Sequence, residues 1–240
     1  MLEKIKLLTR KIYKYSKPQD KTRTTLFSSG FHGDKYLLEL AGQVLKDASV
    51  FIETGTNMGS TLAYVARNHP KVRCISCEPD PSAFGEAIKN TNSLPNVFIF
   101  NEPSQQFIEN LFSRFGLLLN GKAAFWLDAH GYGFQWPLRE EVAFITGKFE
   151  NACILIDDFK VPGLEMFGYD QHGDQTCSWE YIRGSLNPDR QYELYYPGYT
   201  DRTSPHHALR GWGLIRYGIG TSFEIPSELE GKVRKAETRS

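Results

Sequence analysis

Apolar runs that alternate with stretches of helical character constrain this chain more than any other feature. The runs are Ser49 to Gly55 (SVFIETG), Val72 to Pro79 (VRCISCEP), Asn96 to Glu102 (NVFIFNE), Ala123 to Ala129 (AAFWLDA), Ala152 to Phe159 (ACILIDDF), Gln191 to Gly198 (QYELYYPG) and Gly211 to Gly218 (GWGLIRYG). The first five are nearly continuous in apolar residues, and each closes on polar or acidic ones. Strands covered on both faces read this way, because neither side of the pleat meets water. Helices are predicted between them at Ser60 to Asn68, Ser82 to Asn92, Gln105 to Phe115, Leu138 to Phe149 and Ser178 to Leu186. Pro81, Pro103 and Pro137 stand where a first helical turn tolerates proline, its N–H groups having no partner there. The alternation predicts an α/β domain, doubly wound around a mostly parallel sheet of seven strands. The last two runs are joined by a loop, Tyr199 to Arg210, and are expected as an antiparallel hairpin at a sheet edge.

Length and composition agree with one such domain. The chain has 240 residues, 40% hydrophobic, 13% aromatic and 23% charged, which excludes collagen-like, low-complexity and wholly disordered classes. Lys and Arg (28) balance Asp and Glu (28), which argues against nucleic-acid binding through a broad basic field. No apolar run approaches the ~18 to 20 residues of a membrane span. The start, Met1-Leu2-Glu3-Lys4-Ile5-Lys6, lacks a secretory apolar stretch, so a cytoplasmic location is expected. Cys74, Cys77 and Cys153 fall inside strand-like runs and are read as small apolar residues in a reducing compartment. Cys74 and Cys77 form a CxxC, but residues three apart on a strand face opposite ways, which disfavours a shared zinc.

Before the first strand, residues 1–23 carry eight Lys and Arg against Glu3 and Asp20, with Leu2, Ile5, Leu8, Ile12 and Tyr13 spaced as one helix face. A basic amphipathic helix of this kind can touch a membrane surface or a partner. Docking on its own domain, or over its active site, is the favoured expectation. Leu37 to Leu45 reads as a helix leading into the sheet. The expected organisation is a helical extension over 1–35, the α/β domain over 36–225 and a solvated tail over 226–240.

The segment Phe51-Ile52-Glu53-Thr54-Gly55-Thr56-Asn57-Met58-Gly59-Ser60-Thr61-Leu62 turns a buried strand through two glycines into a helix. Glycines there let backbone approach a ligand, and the helix start offers free N–H groups. The dinucleotide fingerprint GxGxxG is absent, which disfavours a dehydrogenase. At the end of the fourth run, Trp126-Leu127-Asp128-Ala129-His130-Gly131-Tyr132-Gly133 places an acid and a histidine, and Asp157-Asp158 closes the fifth. Carboxylates on neighbouring strand tips, about 4.8 Å apart laterally, can converge on one hard cation such as Mg2+.

The ExGxxxG of Glu53, Gly55 and Gly59, followed one strand later by Glu78 in CEPD, resembles the class I S-adenosylmethionine-dependent methyltransferases. The resemblance covers roughly residues 35 to 218 and implies a Rossmann-like fold. It implies that Glu53, Gly55, Thr56, Asn57, Gly59 and Ser60 surround the amino acid end of S-adenosylmethionine and that Glu78 accepts hydrogen bonds from the ribose hydroxyls. A carboxylate suits the last role, because it offers several acceptor sites and no donor. Asn101 and Ser104, after the third strand, fall where that family contacts adenine.

Metal-dependent catechol-type and antibiotic-sugar O-methyltransferases have a similar Asp followed one strand later by an Asp-Asp or Asp-Asn pair. That resemblance implies Asp128, Asp157 and Asp158 as ligands of Mg2+ or another divalent cation, with Asp128 also beside the cofactor. His130 departs from the pattern and is the first candidate for general base, with Asp128 and Asp158 as further catalytic candidates. The loops 161–177, with Tyr169, Asp170, His172 and Asp174, and 199–210, with His206 and His207, are expected to bind the acceptor. Trp136, Trp179 and Trp212 are read as core residues before acceptor walls. The expected function is methyl transfer to an oxygen of a small hydroxylated acceptor. Metal-independent methyl transfer, RNA included through the basic segment, and a non-catalytic nucleotide-binding or scaffold module remain as alternatives. A homo-oligomer is left open.

Overall fold

Apolar runs become strands whose sheet neighbours come from other parts of the chain, and that order decides which side chains meet. The computed structural model describes residues 30–130, 136–201, 203, 208–218 and 225–236. The basic helix expected over 1–23, the loop residues 131–133, and His206 and His207 lie outside them. The strands are β1 (Val50–Thr54), β2 (Arg73–Cys77), β3 (Val97–Phe100), β4 (Ala123–Leu127), β5 (Ala152–Asp157), β6 (Gln171–His172), β7 (Gln175–Thr176), β8 (Glu193–Pro197), β9 (Trp212–Tyr217) and β10 (Val233–Lys235). The helices are α1 (Lys35–Lys46), α2 (Ser60–Asn68), α3 (Pro81–Thr91), α4 (Ser104–Phe115), α5 (Leu138–Lys148) and α6 (Trp179–Ile182).

The main sheet runs β10-β8-β9-β5-β4-β1-β2-β3. Strands β1 to β5 pair in parallel, and β9, β8 and β10 add on antiparallel beyond β5. The chain starts in mid-sheet at β1, winds out to β3, then returns to β4 on the other flank. The strand order therefore reverses between β1 and β4, and a crevice opens at their C-terminal ends. Register sharpens this: Thr54 lies opposite both Cys77 and Leu127, and Leu127 lies opposite Ile156. Gly55, Glu78, Asp128 and Asp157 consequently emerge side by side at one edge of the sheet.

Burial explains why these runs fold as strands. Every residue of β1 and β4 is buried, whereas β3, at the edge, is only partly so. Caps set the helix starts. Asp80 accepts from the Ala83 N–H at 2.8 Å with Pro81 just inside α3, and Asp34 accepts from the Tyr36 and Leu37 N–H groups at 3.0 and 3.2 Å at the start of α1. No helix among the described residues is long and apolar enough to cross a membrane. All four cysteines are free thiols, and burial pushes those of Cys74 and Cys77 up, away from the thiolate a zinc would need.

Three expectations change. The sheet has eight strands, because Val233–Lys235, assigned to a solvated tail, pairs with β8 and buries Val233. The β8/β9 hairpin forms, but β9 lies inside, against β5, and β10 takes the edge. The helix expected at Ser178 to Leu186 is one short turn, α6, followed by a 3-10 turn, Arg183–Ser185, because Gly184 and the coming Pro188 weaken its continuation.

Asp34 ties the start of α1 to the far flank of the sheet. Its second carboxylate oxygen accepts from the Tyr199 hydroxyl, which in turn accepts from Trp212 Nε1 at 3.0 Å. Asp34→Ala removes a cap and strands a buried hydroxyl, and is expected to lower stability by about 2–3 kcal/mol. Urea unfolding checks this: the midpoint should fall with the slope unchanged, and a midpoint equal to wild type would show that the cap and the buried bond contribute nothing.

Candidate active site

The crevice between β1 and β4 is a cleft of about 600 Å³ whose walls include Gly55, Asn57, Glu78, Ser104, Asp128 and His130. Its floor is the turn after β1. Gly55 and Thr56 N–H groups both bond the Cys77 carbonyl, at 3.1 and 3.0 Å, and Gly59 closes the turn onto Thr56 O at 2.8 Å. Gly55 and Gly59 both have φ of +81°. A Cβ on Gly55 would meet the Asp128 carbonyl oxygen at 2.4 Å, and one on Gly59 would press on Ala87 of α3 at 3.3 Å. These glycines thus admit neighbouring protein first; Gly55 also lines the cleft.

Glu78 is held rigidly. Asn57 N–H donates to Oε2 at 2.7 Å and Asp80 N–H to Oε1 at 2.9 Å, while the residue is 7% exposed on the cleft wall. Asn101 does not line the cleft; its Nδ2 bonds the Glu78 and Pro79 carbonyls at 2.8 and 3.1 Å and so braces the turn that carries Glu78. Ser104 does line it, with its buried Oγ beside the Glu141 carboxyl. Ser60 begins α2 and is not among the lining residues.

Glu53 and Thr56 turn away from the cleft. Glu53 accepts from Ser76 Oγ at 2.8 Å, and Thr56 Oγ1 is in hydrogen-bond contact with the same Ser76 hydroxyl. Burial pushes Glu53 up to about 8, against the Ser76 bond and helped by Glu78. The sequence reading missed Glu141 of α5, which is buried beside the hydroxyls of Ser104 and Thr54 and pushed up to about 7, chiefly by burial.

Acids crowd the adjoining edge. Asp128 and Asp157 follow the paired Leu127 and Ile156 at the strand ends, and loss of solvent together with the neighbouring Asp157 raises Asp128 well above the usual carboxylate range. Asp158, in a left-handed conformation with φ of 47°, is pushed up to about 7 by burial and Asp157, against the pull of Arg210. Each acid has a cationic or histidine neighbour. His32 Nε2 lies 2.6 Å from Asp157 Oδ2, Arg210 donates to Asp158 Oδ1 at 3.1 Å, and His130 Nδ1 lies 2.6 Å from Asp170 Oδ2 with Nε2 3.6 Å from Asp128 Oδ1. Burial alone would lower the His32 pKa, but the bond to Asp157 and the charges of Asp157 and Asp158 raise it overall.

His32 and Arg210 carry no local motif. His32 sits on a 3-10 turn, Phe31–Gly33, in which Phe31 and His32 both have positive φ, 52° and 55°. Phe31 anchors that turn by packing edge-on against Trp126 of β4, ring centroids 4.9 Å apart. The glycines flanking Phe31-His32 were the only sequence signal. Trp212 is fully buried, and Trp136 stacks on Tyr181 at 5.2 Å, so both pack as core residues.

No protein-family model matches the chain, and no curated protein matches it in sequence. Its architecture is nonetheless similar to solved structures. One is an O-methyltransferase from Bacillus cereus in complex with SAH, at 14% identity and a TM-score of 0.54, covering 90% of both chains. Another is the O-methyltransferase TomG from Streptomyces achromogenes, involved in tomaymycin synthesis and solved with SAM, at 16% identity and a TM-score of 0.53, covering 76% of this chain and 78% of that one. The chain shares with these two O-methyltransferases a Rossmann-like α/β fold.

Glu53 gives a test with a definite sign. An acid raised in the folded state costs nothing below its ordinary pKa of 4.5 and becomes destabilising as pH climbs from there through about 8. Glu53→Gln keeps an acceptor for Ser76 and removes that penalty. Its stability relative to wild type, from urea unfolding at several pH values, should rise by about 2–4 kcal/mol between acid and mildly alkaline conditions. A difference that does not change with pH would place the Glu53 pKa back in the ordinary range.

Proposed function

We propose that this protein is an S-adenosylmethionine-dependent methyltransferase that methylates an oxygen of a small hydroxylated acceptor with help from a divalent cation. The observation that carries the reading is Glu78, an acceptor-only side chain locked by two backbone N–H groups on the wall of the cleft. Both oxygens keep lone pairs for a vicinal diol such as a ribose. The cleft volume suits a ligand of nucleoside size. A wider hollow of about 870 Å³ at the opposite edge of the sheet supports no such reading. Its Arg190 is bonded to the Thr146 and Glu150 carbonyls and its Lys235 to Glu193.

Bound S-adenosylmethionine supplies an electrophilic methyl group, and a bound cation supplies the charge that lets a hydroxyl lose its proton near neutral pH. The chain's own residues prepare for both. Gly55 and Asn57 shape the floor, Glu78 orients the sugar, and Pro103 and Ser104 close the far wall. Asp128, Asp157 and Asp158 fit a cation by their donor chemistry. They are hard oxygen donors on adjoining tips, and the buried Oδ1 of Asp157 has no hydrogen-bond partner.

A second reading, a metal-independent methyltransferase, is supported by the pairing of Asp157 with His32 and of Asp158 with Arg210. In it His130, held at Nδ1 by Asp170, takes the acceptor's proton at Nε2.

Calorimetric titration with S-adenosylmethionine tests the reading. Micromolar binding is expected, weakened about tenfold or more in Glu78→Ala, since a decade corresponds to about 1.4 kcal/mol. No heat from folded, cofactor-free protein would sink the assignment. Retained affinity in Glu78→Ala would remove Glu78 from the site.

A further inference from the structure

His130 and Asp170 lie where the metal resemblance assigns no ligands, yet the fold delivers both to the acid cluster. Asp170 comes from the loop after β5. Its N–H donates to the Asp158 carbonyl at 2.8 Å, and its own carbonyl accepts from Cys177 N–H at 2.9 Å, so the loop is clamped against the strand tip. A ligand nitrogen of His130 and carboxylate oxygens of Asp158 and Asp170 all lie within 4.8 Å of one another. A second observation points to a missing ligand. Asp157 is 4% exposed, its Oδ1 has no hydrogen-bond partner, and it lines the same small cavity as His130, Asp158 and Asp170.

We propose that His130, Asp158 and Asp170 bind a first-row transition-metal dication of the Mn2+ class in preference to Mg2+, beside Asp157. The inference rests on the metal-assisted reading above and revises its ligand set, keeping Asp158 and giving His130 and Asp170 the places assigned there to Asp128 and Asp157. The donor set decides the preference. Mg2+ demands near-ideal octahedral oxygen coordination and sheds water reluctantly, whereas an imidazole nitrogen among carboxylates favours borderline cations over it. The arriving ion replaces the His130–Asp170 contact as the link between those two side chains. Arg210, the nearby guanidinium on Asp158, has a side chain 45% exposed and can swing into solvent. His32 stays on the other oxygen of Asp157 and orients it from behind.

The test is calorimetric titration of the full chain, stripped with chelator, against MnCl2 and separately MgCl2, with free Mn2+ counted by electron paramagnetic resonance. Wild type should bind Mn2+ about tenfold or more tighter than Mg2+. His130→Ala should bring the two affinities together, and Asp170→Asn should weaken Mn2+ by about tenfold or more. The His130 side chain is 63% exposed, so its removal opens no core cavity, and His130→Asn with a circular-dichroism melt serves as the second variant. Equal Mn2+ and Mg2+ affinity in wild type, or a preference that survives both histidine variants, overturns the proposal. So does Mn2+ binding that Asp170→Asn leaves unchanged. S-adenosylmethionine binding measured on the same wild-type protein separates the two claims. Cofactor binding without a Mn2+ preference defeats this inference alone, and the Mn2+ preference without cofactor binding defeats the methyltransferase reading alone.

Discussion

Repulsion among carboxylates at the C-terminal tips of β4 and β5 is the constraint that organises the rest of the molecule. Asp128 and Asp157 meet because their strands pair in register, and Asp158 and Asp170 are tied by a backbone hydrogen bond. Like charges this close, partly withdrawn from water, cannot all stay ionised without counter-charge. The chain answers from three separate places. An N-terminal turn brings His32 to Asp157, the loop that leads into β9 brings Arg210 to Asp158, and the segment after β4 brings His130 to Asp170. Two of those suppliers sit on strained or clamped backbone: Phe31 and His32 hold positive φ, and Arg210 belongs to a segment bridged to Gly168. Strain of this kind persists where the surroundings over-determine it.

The parts of this arrangement legible in the sequence were those with local patterns. Five parallel strands announced themselves by continuous apolar runs, the turn after β1 by Gly55 and Gly59, and the acids by their position just past strand ends. Glu78 was readable for the same reason: it follows a buried run and precedes a capped, proline-led helix. His32 was not, because its partner Asp157 lies 125 residues away and nothing local to a Gly-Phe-His-Gly turn specifies that contact. Glu141 was hidden inside an ordinary amphipathic helix, where an acid in the first turn reads as solvated. Strand β10 was masked by Arg234 and Lys235, whose charges disguise a short pairing that buries Val233. Glu53 and Thr56 were legible as positions and not as orientations, since Ser76, contributed by β2, draws both side chains inward.

The fold narrows the chemistry without choosing it. A crevice at a topological switch point is where doubly wound sheets bind ligands, whatever the ligand. What distinguishes this crevice is the juxtaposition of an oriented acceptor group, Glu78, on one flank with a crowded acid cluster on the other. The first suits a ligand rich in hydroxyl donors. The second suits positive charge, as its histidine and arginine partners show.

Those two flanks are not independent, because one short segment walls both. Asp128, Ala129 and His130 line the cleft and also the small cavity among the acids. The segment is placed by backbone contacts: Asp128 N–H bonds the Thr54 carbonyl at 3.0 Å, and the Asp128 carbonyl occupies the space that a side chain on Gly55 would need. Gly55 is thus glycine for two reasons that act together, its left-handed φ and the passage of β4's tip across it. Any side chain there would push Asp128 outward, and with it His130, disturbing the acid cluster as much as the cleft. The turn after β1 therefore sets the distance between the flank that carries Glu78 and the flank that carries the acids, the distance on which the proposed in-line transfer would depend most steeply.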